Sequence, residues 1–335
     1  MTEKPKLTKK NFASDQEVKW CPGCGDYAIL SSVQLAMAQI GIPPNETAVI
    51  SGIGCSSRFP YYMNTYGMHS IHGRAPAFTS GVKIANPDLN VWMITGDGDS
   101  LSIGGNHFIH ILRRNIDVNI ILFNNQIYGL TKGQYSPTSE KGTVTKSSPY
   151  GSLDRTFNPA ELAMGSGATF YARTIDTDPK HMIEIFKAAH AHKGTSLVEV
   201  LQNCNIFNDK VHDLYANRAT RDDYSVRLEA GKPLIFGKEK NKGLILKDFS
   251  LEVVTIGEDG VTEADLVIHD PKSRALAQML ADLHAPEKPV AIGVLREMNE
   301  SVYEDDLAEQ INTVTAKKGK MNIKDLLNSG ETWTV

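Results

Sequence analysis

The sequence predicts an α/β fold, a mostly parallel sheet with helices on both faces, and three observations predict it. Strand-like and helix-like patterns alternate from about residue 26 to residue 201, the order that a parallel sheet with crossover helices requires. The strand-like runs are short, apolar and rich in β-branched or aromatic residues, as buried strands are. Capping and helix-stopping residues stand between them.

The elements follow in order. Asp26 can cap a helix with apolar positions at Leu30, Val33, Leu35 and Met37, and Gly41, Pro43 and Pro44 stop it. TAVIS (47–51), NVWMIT (90–95), NIILFN (119–124), TFYART (169–174) and SLVEVL (196–201) are the predicted strands. Asn158-Pro159 and Asp178-Pro179 each place a capping side chain before a proline, whose missing N–H costs nothing at the first helical position. After residue 205 the chain turns polar, and GKEKNKG (237–243) reads as an exposed turn. A boundary near 205–235 follows, with an N-terminal segment over 1–45, a core over 46–205 and an extension over 206–335. In the extension LEVVTI, ADLVIHD and PVAIGVL read as strands around a helix over 272–283, a small C-terminal appendage.

Composition excludes several classes. With 335 residues, 41% hydrophobic and 22% charged, the chain has the make-up of a folded globular protein. No apolar run is long enough for a membrane span, and the N-terminus MTEKPKLTKKNF lacks a signal-peptide core. Four cysteines are too few for a disulfide scaffold of this length. A cytoplasmic location is expected, with neither membrane nor nucleic acid as partner, since 35 basic residues stand against 39 acidic ones.

The first chemical feature is GDGDSLSIGG, beginning at Gly96 directly after NVWMIT. Gly-Asp-Gly lets the backbone turn sharply and delivers an aspartate to the carboxyl edge of the sheet, ahead of a helix opening near Ser100. Asn125 leaves the same edge from the next strand. A hard divalent cation such as magnesium takes oxygen ligands from one or two side chains and the phosphates of its ligand, which Asp97 and Asn125 suit. A dinucleotide GxGxxG is incomplete here, because Leu101 stands where the third glycine belongs. Gly-Asp-Gly, then Asn-Asn one strand later, then YGLTKGQ (128–134), resembles the thiamine diphosphate-binding motif.

The second feature is WCPGCGD, a CxxC at Cys21 and Cys24, joined by Cys55 in GIGCSSR and Cys204 in LQNCN. A CxxC pair serves zinc, a redox dithiol or two corners of an iron–sulfur cluster, and the spacing separates these poorly. Cys55 follows the first predicted strand and Cys204 the last, so both reach one edge of the sheet.

Taken in order, WCPGCGD, GIGCSSR, HGRAPAFTSGVKIANP, GDGDSLSIGG, RRN and NNQIYGLTKGQ resemble the β subunit of the 2-oxoacid:ferredoxin oxidoreductases, the 2-oxoglutarate type above all. The resemblance implies the diphosphate-binding half of a thiamine diphosphate fold, with the cofactor against Gly96, Asp97, Gly98, Asp99, Asn125, Ile127, Gly129, Leu130 and Thr131. Asp97, Asn125 and the backbone carbonyl of Ile127 fall on the Mg2+ ligands. Cys21, Cys24, Cys55 and Cys204 fall on the ligands of one [4Fe–4S] cluster. The implied reaction is oxidative decarboxylation of a 2-oxoacid with coenzyme A, or its reverse, the electrons leaving to ferredoxin.

Substrate choice needs a cation for the distal carboxylate of 2-oxoglutarate. Lys132 in Leu-Thr-Lys is the first candidate, because this loop resembles enzymes accepting 2-oxoglutarate or a broad range. Arg58, Arg74, His69 and His72 are the others, Arg74 for the carboxylate beside the oxo group and His72 as a general acid or base. Lys9, Lys10 and Lys19 near the CxxC are candidates for docking an acidic ferredoxin. The glutamate by which thiamine enzymes hold the aminopyrimidine has no counterpart here, so the resemblance implies an α subunit that supplies it, in a heterodimer or a dimer of heterodimers. The alternatives are the same machinery acting on pyruvate or branched-chain 2-oxoacids, a non-redox thiamine enzyme with structural zinc, and a non-catalytic binding subunit.

Overall fold

The computed structural model describes residues 6–319 and 322–333, so the first five residues of the predicted N-terminal segment lie outside the described part. In chain order the strands are β1 (Thr47–Ser51), β2 (Tyr66–His69), β3 (Asn90–Gly96), β4 (Asn119–Asn124), β5 (Ile127–Tyr128), β6 (Gln134–Tyr135), β7 (Phe170–Ile175), β8 (Ser196–Leu201), β9 (Ser225–Arg227), β10 (Ile235–Phe236), β11 (Lys242–Lys247), β12 (Ser250–Thr255) and β13 (Val290–Glu297). Eight of them form one sheet in the order β2-β1-β3-β4-β8-β7-β13-β9.

The first six strands of that order run parallel, and β13 then pairs antiparallel with β7. Alternate residues of the buried strands face opposite layers, as the pleat requires. Val49, Trp92, Ile94, Ile121 and Phe123 pack with the helices Asp26–Ile40 and Pro179–Ala191. Ile50, Val91, Met93, Ile120 and Leu122 pack with Gly105–Arg114 and Pro159–Gly165. Helices therefore cover both faces, and the parallel strands deliver their carboxyl ends to one edge.

Local chemistry sets most boundaries. Asn158 accepts a hydrogen bond from Ala160 N at 3.0 Å and Asp178 one from His181 N at 3.3 Å, so both proline-led helices start where expected. Asp26 does not cap its helix. Gly25 holds the cap position and Asp26 is the first helical residue, its side chain turned into the protein. The helix expected near Ser100 comes in two pieces, Asp97–Leu101 and Gly105–Arg114, broken at Ser102.

The region beyond residue 205 is divided between two structures. β9 and β13 complete the main sheet, while β10, β11 and β12 form a separate antiparallel sheet that stands as the appendage. ADLVIHD does not become a strand. Asp265 accepts from both Thr262 N and Thr262 Oγ1 at 2.8 Å, closing a helical turn over Glu263–Asp265, and only Ile268 makes a bridge, to Pro233. β2 carries little signal because it is four residues long, only Tyr66 and Met68 are apolar, and all four residues are exposed at the sheet edge. No helix among the described residues is long and apolar enough to cross a membrane.

Candidate active site

Two cavities meet at the carboxyl edge of the parallel strands. The first, of about 130 Å³, is lined by all nine residues expected around the cofactor, Gly96, Asp97, Gly98, Asp99, Asn125, Ile127, Gly129, Leu130 and Thr131, together with His72. The second, of about 220 Å³, is lined by Cys21, Cys24, Cys55 and Cys204, with Lys19, Arg58 and Lys132. Asp26, Cys55, Asn125, Gly129 and Leu130 line both, so one thin wall separates them.

In the first cavity Asp97 is buried, and its Oδ2 accepts from Ser136 Oγ and Thr138 Oγ1, each at 2.5 Å. Burial pushes its carboxyl up to about 6, against the opposing effect of those hydroxyls. Asn125 Oδ1 accepts from Ile127 N at 3.2 Å, and Asn208 Nδ2 donates to the Asn125 carbonyl at 3.0 Å. Gln126, between Asn125 and Ile127, adopts φ +57°, a left-handed turn directly after β4. A buried carboxylate, an amide oxygen and nearby backbone carbonyls are the hard donors that Mg2+ takes, and they share this cavity. Tyr128 OH donates to Gly98 O at 2.9 Å, and a Cβ on Gly98 would run into the tyrosine ring.

Asp99 is spent on the protein. Its Oδ1 accepts from Gly73 N at 2.8 Å and Ile53 N at 3.1 Å and lies 2.5 Å from His72 Nδ1, while Thr95 Oγ1 donates to Oδ2 at 2.9 Å. This carboxylate fastens the GIGC loop and the HGR turn to the helix Asp97–Leu101. His72 is thereby aimed into the first cavity.

The second cavity suits a group larger than one ion. No three of the four cysteine sulfurs, all among the described residues, lie within 4.8 Å of one another. A zinc tetrathiolate with bonds of about 2.3 Å needs its sulfurs about 3.8 Å apart. A Cβ on Gly129 would sit 3.5 Å from Cys55 Sγ and 3.6 Å from Cys204 Sγ, so Gly129, which lines both cavities, lies directly against these two sulfurs. Burial pushes the Cys55 thiol up to about 12, with Asp26, Cys204 and Cys21 adding to it, and it pushes Cys24 up further. Four thiolates packed this way need positive charge among them. All four cysteines are free thiols.

The remaining candidates divide. Lys132 and Arg58 line the cysteine cavity, Arg58 donating to Tyr62 OH at 3.1 Å. Arg74 and His69 line neither cavity: Arg74 reaches Ile103 O at 3.4 Å, and His69 packs against Tyr61. Lys19 is paired with Glu17, and Lys9 donates to Ser31 Oγ at 2.8 Å. A larger groove of about 650 Å³, at the amino ends of β4 and β7, touches none of the predicted site residues.

Sequence reasoning missed Asp26, Gln202, Ser136 and Thr138. Asp26 is 1% exposed, its Oδ2 has no hydrogen-bond partner, and burial with Asp176 nearby pushes its carboxyl up to about 7 despite a bond to Cys24. Gln202 carried one signal, its place in LQNCN at the end of a strand and two residues before Cys204.

The family model for the thiamine pyrophosphate enzyme C-terminal TPP binding domain matches residues 52–200. Over 331 residues the chain is 46% identical to the 2-oxoglutarate oxidoreductase subunit KorB of Mycobacterium tuberculosis, covering 97% of this chain and 88% of that one. The chain belongs to the 2-oxoacid:ferredoxin oxidoreductase β-subunit family. It is 50% identical over 190 residues to 2-oxoacid:ferredoxin oxidoreductase 1, subunit beta, of Aeropyrum pernix, covering 57% of this chain and 60% of that one. A solved 2-oxoglutarate:ferredoxin oxidoreductase of Magnetococcus marinus, with 2-oxoglutarate, coenzyme A and succinyl-CoA bound, superposes with a TM-score of 0.79 at 32% identity, covering 98% of both chains. As a 2-oxoacid:ferredoxin oxidoreductase β subunit, the chain carries the thiamine diphosphate-binding fold and is one part of an enzyme with a partner subunit.

Proposed function

We propose that this chain is the β subunit of a 2-oxoglutarate:ferredoxin oxidoreductase, converting 2-oxoglutarate and coenzyme A to succinyl-CoA and carbon dioxide, or the reverse, with ferredoxin as electron partner. The observation that carries the reading is the wall shared by the two cavities, one with hard oxygen donors and one with four thiols. Bound there, thiamine diphosphate supplies the carbon nucleophile for decarboxylation, and a [4Fe–4S] cluster accepts electrons singly. Asp97, Asn125 and the Ile127 carbonyl would hold Mg2+ on the diphosphate, and Cys21, Cys24, Cys55 and Cys204 would hold the cluster.

The chain's own groups orient and exclude. Ser136 and Thr138 hold the Asp97 carboxylate toward the cavity. Asp99 steers His72, which can hold or release a proton at the edge of the first cavity. Lys132, in the loop next to Leu130 and Thr131, offers a cation for the distal carboxylate of 2-oxoglutarate. Arg74 lies outside both cavities, so a contact with substrate requires the α subunit to extend the pocket toward it. The sulfur spacing disfavours the single zinc ion of a non-redox enzyme. Free thiols suit a cytoplasmic setting.

The test is anaerobic co-purification with the α subunit, followed by viologen reduction with coenzyme A and either 2-oxoglutarate or pyruvate. Reduction with 2-oxoglutarate alone is expected. Reduction with pyruvate alone would keep the enzyme class and overturn the assigned substrate.

A further inference from the structure

We propose that Gln202 couples the two cavities, raising the reduction potential of a cluster on the four cysteines when the metal–diphosphate pocket is filled. The inference rests on the assignment of the two cavities made above. Gln202 follows β8 and is fully buried. Its Oε1 accepts from Asn125 Nδ2 at 2.7 Å, and its Nε2 donates to Asn203 O at 2.6 Å and to Cys24 Sγ at 3.4 Å. One amide thus joins a residue assigned to the metal with a cysteine assigned to the cluster.

Two backbone groups decide the direction of this relay. The Asn203 carbonyl only accepts, so the Gln202 atom beside it is the nitrogen. The Ile127 N–H only donates, so the Asn125 atom beside it is the oxygen. Asn125 therefore donates to Gln202, and Gln202 donates to the sulfur. Asn203 is itself anchored, its N–H donating to Asp176 Oδ2 at 2.8 Å and its carbonyl accepting from Gly25 N at 3.3 Å. The relay is built into the joint between β8 and the CxxC loop.

A cation on Asn125 Oδ1 draws electron density from that amide and makes its N–H a stronger donor. The effect passes through Gln202, because linked hydrogen bonds polarise one another in a buried setting. A stronger N–H···S bond stabilises the more negative, reduced cluster. Filling the diphosphate pocket then makes the neighbouring acceptor easier to reduce.

The test is an EPR-monitored redox titration of the complex with the α subunit, with and without Mg2+ and thiamine diphosphate and in the absence of substrate. In the wild type, loading is expected to favour reduction by roughly three- to tenfold, the size of a modest change in one hydrogen bond. Gln202→Met, of similar length and without a donor, is expected to lower the potential of the unloaded cluster and abolish the loading shift. Should that variant fail to fold, Gln202→Leu also removes the donor without adding a charge or a hydroxyl and is expected to show the same loss. A wild-type potential indifferent to loading, or variants that titrate like the wild type, would overturn the coupling alone. A wild-type complex with no iron–sulfur signal would overturn the reading of the cysteine cavity instead.

Discussion

Thr138 Oγ1 donates to Asp97 Oδ2 at 2.5 Å across 41 residues of sequence. The same hydroxyl lies 3.0 Å from Asn124 Oδ1, and Asn124 Nδ2 donates to Glu199 Oε1 at 2.7 Å. Glu199 is in turn bonded to Arg173 Nε at 2.6 Å and Tyr171 OH at 2.5 Å. A buried polar chain therefore runs from the cavity that Asp97 lines through β4 and β8 to β7, and every link is between buried side chains.

Thr138→Val removes one of two hydroxyls that hold Asp97. A hydrogen bond to a charged group is worth about 1.5–3 kcal/mol, so thiamine diphosphate affinity should fall at least tenfold while the cluster's visible spectrum stays. Asp97→Ala should abolish cofactor retention, also with the cluster intact, and Cys55→Ser should do the reverse. Cofactor content and absorption of the purified proteins decide this; equal loss of both groups in one variant would mean general collapse.

Glu199→Gln should destabilise the chain strongly. The Arg173 charge is buried, and breaking such a pair from one side leaves it uncompensated, at about 3–5 kcal/mol. The Arg173 guanidinium overcomes burial to hold the Glu199 carboxyl below its ordinary range, so the pair is ionised at neutral pH. Urea unfolding measures the loss. A variant as stable as the wild type would show that the network bears no net energy.

Asp26→Asn should stabilise the cofactor-free chain in a pH-dependent way. The Asp26 carboxyl is raised from 3.8 to about 7 by burial, with the Asp176 charge adding to it. The folded state thus binds the proton more tightly than the unfolded chain. Its contribution to stability is complete below about pH 4 and is lost as pH rises toward about 7, on the order of a few kcal/mol in all. The variant should match the wild type near pH 4 and exceed it at pH 8. A stability difference constant across this range would contradict the buried, protonated carboxyl.

Lys132→Ala should raise the KM for 2-oxoglutarate more than that for pyruvate, because only the former has a distal carboxylate to lose a partner. Lys132 has φ +78°, as strained for alanine as for lysine, so the substitution changes charge without relaxing the loop. Steady-state kinetics of the complex with both substrates check it. A uniform rise would mean that the lysine serves the diphosphate or coenzyme A.

Much of this architecture was legible in local patterns. TAVIS, NVWMIT, NIILFN and SLVEVL are strands within a residue of the predicted bounds, because runs buried on both faces are mostly apolar. β2 was invisible because an exposed edge strand of four residues shows no buried apolar run. ADLVIHD misled because Asp265 uses its carboxylate on Thr262 and closes a turn that the apolar pattern does not register. Asp26 stands where a helix cap is expected, yet Gly25 takes that place and the carboxyl goes into the protein instead.

By itself the sequence determined the order of strands and helices, the edge to which Asp97, Asn125, Cys55 and Cys204 are delivered, and the family that these motifs resemble. The first two follow from a local period or from a residue's place at the end of a strand, and the third is a resemblance carried by the motifs in their order. Only the tertiary structure decided that Thr138 meets Asp97, that β13 closes the parallel sheet, and that Gln202 lies between Asn125 and Cys24. The side-chain contacts among them join residues 41 to 178 positions apart. Their geometry is set by how separate elements pack, and no local pattern encodes it.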